Sequence, residues 1–126
     1  MSVIDLKTED FEKTISENEI VILDFWAPWC GPCTQFAPIF KTISEEYPEI
    51  KFAKVNVEEE QELASMFQVR SIPTLAFMRD KIVIFSNPGV LPESNFKDAI
   101  KQLVDLDMKQ VHEDLAKAKE EESQEK

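Results

Sequence analysis

The sequence contains very little glycine, histidine and cysteine, and each shortage excludes a kind of site. With two glycines in 126 residues, the chain cannot build a Gly-rich phosphate loop or a dinucleotide-binding fingerprint. A single histidine, His112, excludes a multi-histidine metal site. Two cysteines form neither a disulfide framework nor a Cys₄ zinc site. We therefore expect neither a metal ion nor a bound cofactor.

Long apolar runs and positive charge are also scarce. The longest apolar run, Ile20–Leu23 with Phe25–Trp29 after Asp24, is far shorter than the ~20 residues that a membrane span needs. The net charge of −11 repels phosphate backbones and anionic lipids. We expect a monomer with no nucleic-acid or membrane partner. Residues 1–13 resemble neither a signal peptide nor a transit peptide, so we expect a cytoplasmic protein.

The apolar pattern predicts a domain in which strands and helices alternate. A chain of 126 residues with 43% apolar side chains is enough for one compact domain. The run Ile20–Trp26 is typical of a strand buried on both faces of a parallel sheet. The predicted order is β-α-β-α-β-α-β-β-α. The predicted strands are Val3–Leu6, Ile20–Trp26, Ile50–Val57, Thr74–Met78 and Ile82–Phe85, and the predicted helices include Thr34–Tyr47 and a last one that starts at Pro92.

Local signals refine three of these elements. Thr8 is a good N-cap residue, so we expect it to start the first helix. Pro38 lies inside the helix Thr34–Tyr47, where it removes one hydrogen bond and should kink the helix. The segment Arg79-Asp80-Lys81 predicts a tight hairpin connection between the last two strands.

The chain ends in a charged segment that we expect to extend beyond the domain. We place the domain at residues 1–106 and the extension at residues 107–126. Four apolar residues keep helical spacing into the extension: Val104, Met108, Val111 and Leu115. We therefore expect the last helix to continue to about Lys119 and Glu120–Lys126 to be frayed or disordered. Such an apolar stripe either packs on its own domain or binds a partner.

Cys30 and Cys33 stand where a buried strand is followed by a helix. In open α/β sheets functional groups gather beyond the carboxyl ends of the strands, and the N–H groups of a helix N-terminus stabilise an anion. We therefore expect the pKa of Cys30 to be lowered and its thiolate to be the attacking sulfur. Cys33, one turn later and more buried, would attack a mixed disulfide on Cys30 and release the substrate. Half of a metal knuckle and two inert core thiols are the alternatives.

Asp24 interrupts the apolar strand that leads to Cys30. Burial of an unpaired carboxylate is unfavourable and raises its pKa, which suits slow proton transfer. Lys54, in the next strand, is a candidate partner; alternatively, the two residues form a structural pair or both point outward at a strand edge. Pro73 starts a later strand, where a trans peptide bond is the ordinary case and a cis bond is permitted.

Together these residues resemble the thioredoxin family. Residues 24–33, Asp-Phe-Trp-Ala-Pro-Trp-Cys-Gly-Pro-Cys, are similar to the family's active-site segment without a break. Pro38, Lys54 and Ile72-Pro73-Thr74 match its helix-kinking proline, its lysine near the buried carboxylate and its cis-proline loop. The resemblance spans roughly residues 3–104. It implies the thioredoxin fold, an α/β fold with a central mixed sheet flanked by helices on both faces.

The resemblance also implies an activity, that of a thiol–disulfide oxidoreductase that reduces protein disulfides. Cys30 would be the nucleophile and Cys33 the resolving thiol of a redox-active disulfide. Asp24, helped by Lys54, would take the proton from Cys33. Electrons would come from NADPH through a thioredoxin-reductase-like flavoprotein and pass to disulfide-containing client proteins.

The resemblance further implies a flat apolar docking surface, on which the backbone groups of Ile72 pair with an extended substrate segment. Its residues would be Trp29, Gly31, Pro32, Ile72 and Pro73, with Trp26 packed beneath. Two departures leave partner preference open: Thr34 stands where the family usually has lysine, and Asn87-Pro88-Gly89 replaces its usual valine-glycine loop. The alternative hypothesis is a dedicated reductant or interaction module whose partner binds the extension.

Overall fold

A five-stranded sheet organises the chain in a computed structural model that describes residues 3–124, with side chains described for residues 3–121. The strands are β1 (Val3–Asp5), β2 (Ile20–Trp26), β3 (Lys51–Asn56), β4 (Thr74–Arg79) and β5 (Ile82–Pro88). The helices are α1 (Phe11–Glu17), α2 (Gly31–Glu46), α3 (Gln61–Met66), α4 (Glu93–Asp105) and α5 (Met108–Gln124). The predicted alternation of strands and helices is confirmed as far as α4.

The sheet is mixed, with the strand order β1-β3-β2-β4-β5. Strands β1, β3 and β2 are parallel, whereas β4 and β5 are antiparallel to their neighbours. The carboxyl ends of the three parallel strands therefore meet at one edge of the sheet. Because β2 lies in the middle and ends at Trp26, the segment that follows it emerges at the centre of that edge.

Alternate residues of β2 face the two sides of the sheet, and both sides are covered, which explains its nearly continuous apolar sequence. Ile20 and Ile22 belong to one core, and Val21, Leu23 and Phe25 belong to the other. The first core includes Phe36, Phe40 and Ile43 of α2 and Phe96, Ile100 and Leu103 of α4. The second includes Phe11 and Ile15 of α1 and Leu63 of α3. Asp24, in step with Ile20 and Ile22, thus belongs to the side that α2 covers.

A two-residue turn joins β4 to β5, as the tight hairpin prediction requires. Arg79 pairs with Ile82, and the turn residues Asp80 and Lys81 have φ values of 51° and 68°. Positive φ at both positions gives a turn whose twist matches that of the flanking strands. Since Arg79 also pairs with Ile20, the first residue of β2, the turn lies at the sheet edge opposite the end of β2.

The prediction that Thr8 caps the first helix is wrong. Thr8 opens a 3₁₀ turn, Thr8–Asp10, and its backbone N–H donates to Oε1 of Glu60 at 2.9 Å. The helix α1 begins at Phe11, with Asp10 at the N-cap position. The contact with Glu60, 52 residues away, is a tertiary interaction that the local sequence does not encode.

The prediction of one last helix from Pro92 to about Lys119 is also wrong. Helix α4 ends at Asp105, Leu106 has extended backbone angles (φ −62°, ψ 136°), and α5 begins at Met108. Helix α5 continues to Gln124, beyond the predicted end at about Lys119, and the expectation that residues 120–126 are frayed or disordered stays a prediction. Residues 125 and 126 lie outside the described residues.

Two side chains account for the break between α4 and α5. The Arg79 guanidinium donates from Nη1 to three backbone carbonyls at distances of 2.9, 2.9 and 3.1 Å, those of Leu103, Val104 and Leu106. These bonds satisfy carbonyls that a helix C-terminus leaves unpaired. Asp107 then accepts a bond from the Gln110 N–H at 3.2 Å, which is the geometry of an N-cap.

Helix α5 contacts the domain beside the hairpin turn. His112 Nε2 lies 3.2 Å from Asp80 Oδ2. Val111 is half-buried, whereas Leu115 is 39% exposed, so the apolar stripe is only partly covered. The contact with Asp80 places the start of α5 at the sheet edge opposite Cys30.

Candidate active site

The two cysteines occupy the first turn of α2, directly beyond the end of β2. Cys30 is the N-cap residue, and its backbone N–H donates to the Ala27 carbonyl at 3.1 Å. The N–H of Cys33 donates to Cys30 Sγ at 3.3 Å. The two sulfur atoms are joined as a disulfide, with 5.2 Å between the Cα atoms. The helix therefore offers Cys30 Sγ an N–H donor, which stabilises negative charge on that sulfur when the disulfide is open.

The two sulfur positions differ less in burial than expected. Cys30 is 5% exposed and Cys33 is 3% exposed. Burial alone therefore does not distinguish an attacking from a resolving sulfur, whereas position does, because the Cys33 N–H points at Cys30 Sγ. Trp29, next to the pair, is 69% exposed. Helix α2 continues from Gly31 through Pro38, whose missing N–H leaves the helix without one of its hydrogen bonds.

Asp24 is a deeply buried carboxylate on the sheet face that α2 covers. It is 1% exposed, which contradicts the alternative of an outward-pointing side chain. Within the described residues, neither of its carboxylate oxygens has a hydrogen-bond partner. Burial raises the pKa of Asp24 from 3.8 to about 7, and the nearby charge of Lys54 opposes the rise. The carboxyl group therefore exchanges its proton near neutral pH.

Lys54 lies directly opposite Asp24 in the β2–β3 ladder, but its ammonium group points elsewhere. Its Nζ is 4.0 Å from the centroid of the Trp26 ring, a cation–π geometry. The side chain is half-buried. The charge of Lys54 thus acts on Asp24 across a gap, without a hydrogen bond between them.

The loop before β4 completes the surface around the cysteines. The Ile72–Pro73 peptide bond is cis, and the Pro73 carbonyl accepts a bond from the Gly89 N–H at 2.7 Å. Ile72 and Trp26 both pack against the cluster formed by the two cysteines. Gly31 and Pro32 are exposed beside them. The structure thus brings together the cysteines, Trp26 and Ile72, with Gly89 bonded behind Pro73.

Two residues of the cysteine cluster were not predicted from the sequence as part of the site. Ala27 is fully buried in the same cluster as the cysteines, and Val57 packs against it. The Val57 N–H donates to the Trp26 carbonyl at 2.9 Å, so β3 and the end of β2 remain joined beneath the site. Ala27 could have been predicted from its small side chain directly after a buried strand, because the start of the next helix packs closely against that position.

Two further observations concern the part of the chain that is described. Among the described side chains, those of residues 3–121, no three of histidine, cysteine, aspartate or glutamate come together in a way that would hold a metal ion. Among residues 3–124 no helix is both long enough and apolar enough to cross a membrane.

A cysteine pair that closes into a disulfide at a helix N-terminus, above a buried carboxylate, defines a thiol–disulfide oxidoreductase. Comparisons with known proteins agree with this class. The thioredoxin family model matches residues 2–105. A Streptomyces coelicolor protein named "Putative thioredoxin 2" is 44% identical over 115 residues, which are 91% of this chain and 86% of that protein.

Two other relatives extend the comparison. Thioredoxin of Haemophilus influenzae is 37% identical over 79% of this chain and 95% of its own length. The structure of a mutant thioredoxin from Halobacterium salinarum superposes with a TM-score of 0.77 at 32% identity, covering 83% of this chain and 92% of that one. The chain belongs to the thioredoxin family. The predicted thioredoxin fold and protein-disulfide reductase activity are thereby confirmed.

The redox-active group of this family is the cysteine pair itself. Thioredoxins generally interact with a thioredoxin reductase and with disulfide-containing client proteins.

Proposed function

We propose that this chain works in the cytoplasm as a monomer that carries electrons from NADPH, through a thioredoxin-reductase-like flavoprotein, to disulfides of client proteins. The observation that supports this most is the bond from the Cys33 N–H to Cys30 Sγ, because it favours the anionic form of one sulfur. The cytoplasm suits this direction of electron flow, since reductants there keep thiols reduced.

The reaction consists of two thiol–disulfide exchanges. The Cys30 thiolate attacks one sulfur of the client disulfide, forming a mixed disulfide and expelling the other client sulfur as a thiolate. Cys33 then loses its proton and attacks Cys30 Sγ, which breaks the mixed disulfide and releases the second client thiolate. The client gains two electrons and this chain is left with the Cys30–Cys33 disulfide. The flavoprotein returns two electrons from NADPH and reopens it.

Asp24 is the proposed acceptor of the Cys33 proton, and Lys54 assists it. A carboxyl group with a pKa of about 7 holds and releases a proton at the pH at which the reaction runs. Asp24 and Trp26 are two residues apart in β2, so their side chains lie on the same side of the strand. Trp26 packs against the cysteine cluster. Lys54 favours the ionised form of Asp24, so it keeps the carboxylate available as a base.

Clients are proposed to dock on the surface formed by Trp29, Gly31, Pro32, Ile72 and Pro73. Exposed Trp29 and Pro32 offer apolar area beside the sulfur atoms. Among the described residues, the backbone N–H and carbonyl of Ile72 form no bond with another backbone group. An extended client segment can therefore pair with them as an added strand.

We also propose that residues 1–106 form the redox domain and that residues 107–126 extend beyond it. The family model ends at residue 105, and α5 begins at Met108. The Streptomyces coelicolor relative matches 91% of this chain, a span too long to end at residue 105, so part of the extension has a counterpart there.

The test is reductase-coupled reduction of insulin, followed by NADPH consumption, with the two matched variants Cys30→Ser and Cys33→Ser. Both should abolish turnover. Cys33→Ser should still attack a disulfide substrate and accumulate the mixed disulfide, which mass spectrometry detects, whereas Cys30→Ser should form none. Full turnover by Cys30→Ser, or a mixed disulfide on Cys33 in wild type, would refute the assignment.

The role of Asp24 is tested separately by stopped-flow kinetics. Asp24→Ala should slow the second exchange, by Cys33, more than the first, by Cys30. Equal slowing of the two steps would remove Asp24 from the proton transfer.

A further inference from the structure

Lys54 is the middle member of a row of three charged residues on neighbouring strands. In the parallel ladders, Asp24 on β2 and Asp5 on β1 both pair with Lys54 on β3. Paired residues on adjacent strands direct their side chains to the same face of a sheet. In the register of the sheet, Lys54 therefore stands between a buried aspartate and an exposed one.

The edge of the sheet beside Lys54 is open to solvent. A groove of about 790 Å³ lies between β1 and α2, and a second of about 340 Å³ lies between β1 and the segment after β3. Lys54 and Asp5 line both grooves. The two grooves leave space for the Lys54 side chain both nearer to Asp24 and nearer to Asp5.

The other charged groups around Lys54 are less well placed. They are Lys7 after β1, Lys41 and Glu45 on α2, and Glu59 and Glu60 after β3. Glu60 already accepts the Thr8 N–H through Oε1. Among the acidic residues of the described chain, Asp5 is the one that lines both grooves and is also in register with Lys54. The bond from the Leu6 N–H to the Lys54 carbonyl, at 2.8 Å, holds the two strands together at this point.

We propose that Asp5 is a positioning residue of the redox site. Its carboxylate draws the Lys54 ammonium toward the sheet edge and so weakens the electrostatic attraction between Lys54 and the Asp24 carboxylate. Trp26 accommodates the ammonium in the resulting position, over its ring. This inference rests on the proposed role of Asp24 in proton transfer. As a consequence, Asp24 keeps its proton to a higher pH than it would without the Asp5 carboxylate.

The test is the titration of the Asp24 carboxyl carbon by NMR in the oxidised protein, in wild type and in Asp5→Asn at low salt. Direct repulsion between two carboxylates ~10 Å apart, two strand spacings, accounts for a shift of about 0.3 pH unit when water screens it fully and about 1.2 pH units at the effective dielectric constant of ~20 typical of protein sites. Because Lys54 also turns toward Asp24 when Asp5 is neutral, we expect the midpoint to fall by about 0.5 pH unit more in this protein than in a Lys54→Met background. Asp5→Glu should restore the wild-type midpoint.

Two controls make the result decisive. Asp98→Asn changes the net charge equally at an exposed site on α4 and should leave the midpoint unchanged. In a Lys54→Met background, Asp5→Asn should produce only the smaller shift that direct repulsion gives. No shift in Asp5→Asn, or shifts of equal size with and without Lys54, would overturn the inference. Since neither client nor reductase is present, a failure of the proposed electron pathway would not affect this readout.

A functional readout follows from the same variants. The pH profile of the Cys33 exchange step should move to lower pH in Asp5→Asn by the same amount as the NMR midpoint, and the Cys30 step should not move. A profile that stays in place while the NMR midpoint shifts would remove Asp24 from the proton transfer, and with it the proposed function on which the inference rests.

Discussion

Replacement of Asp24 by asparagine should stabilise the protein by an amount that grows with pH. An acid whose pKa is higher in the folded than in the unfolded chain destabilises the fold once it ionises. The pKa of Asp24 rises from 3.8 to about 7 on burial. At about 1.4 kcal/mol per pKa unit, ionised Asp24 costs about 4 kcal/mol above pH 7 and nothing below pH 3.8. Asparagine has nearly the same shape and never ionises.

The assay is urea unfolding of the oxidised Asp24→Asn and wild-type proteins between pH 4 and pH 8, with the free energies of unfolding compared at each pH. The difference in favour of asparagine should rise by about 4 kcal/mol from pH 4 to pH 8, with most of the rise before pH 7. Asp98→Asn, at an exposed site, should give a difference that stays within about 0.5 kcal/mol at all pH values. A flat difference for Asp24→Asn would show that burial does not keep this carboxyl protonated near neutral pH.

Substitutions at three positions test the fold. Arg79→Met removes donors from three backbone carbonyls, so we expect a loss of about 1–3 kcal/mol and faster amide hydrogen exchange at the start of α5; unchanged exchange would contradict the role of Arg79 in that junction. Lys81→Gly relieves a φ of 68° and should raise the free energy of unfolding by about 1 kcal/mol, whereas Lys81→Ala should give no gain. Phe96→Ala should cost about 3–5 kcal/mol in urea unfolding, because Phe96 is fully buried and its ring lies 5.8 to 6.4 Å from four other phenylalanine rings; a cost below 2 kcal/mol would show that the core collapses around the gap.

The sheet was predictable because its signals are local. The run Ile20–Trp26 is apolar on both faces, and the strand has those bounds. The cysteine positions followed from the same run, since the residues after its end must lie at the carboxyl edge of the sheet.

The helix boundaries were not predictable in the same way because distant side chains set two of them. Arg79 ends α4 from 24 to 27 residues away, and Glu60 takes the N–H of Thr8. The apolar spacing across Leu106 suggested a continuous helix and concealed the break. The local signal for the new helix was the pair Asp107 and Gln110, an N-cap residue followed three positions later by glutamine, as in a capping box.

Within the site, the sequence predicted which residues meet but not how their charges are arranged. The sequence suggested Lys54 as a candidate partner of Asp24, and the two residues are paired in the β2–β3 ladder. The position of the ammonium over Trp26 depends on side-chain packing at a sheet edge, and Asp5 joins the row only through the register of β1. The sequence specifies the register of a short edge strand only weakly, so the pairing of Asp5 with Lys54 could not be predicted.

The attacking role of Cys30 is tested by the pH dependence of alkylation of the fully reduced protein, with the modified sulfur identified by mass spectrometry. This role requires that Cys30 is alkylated first, with a midpoint well below the value of about 8.5 for an ordinary thiol. Initial alkylation of Cys33, or a Cys30 midpoint of about 8.5 or higher, would contradict it.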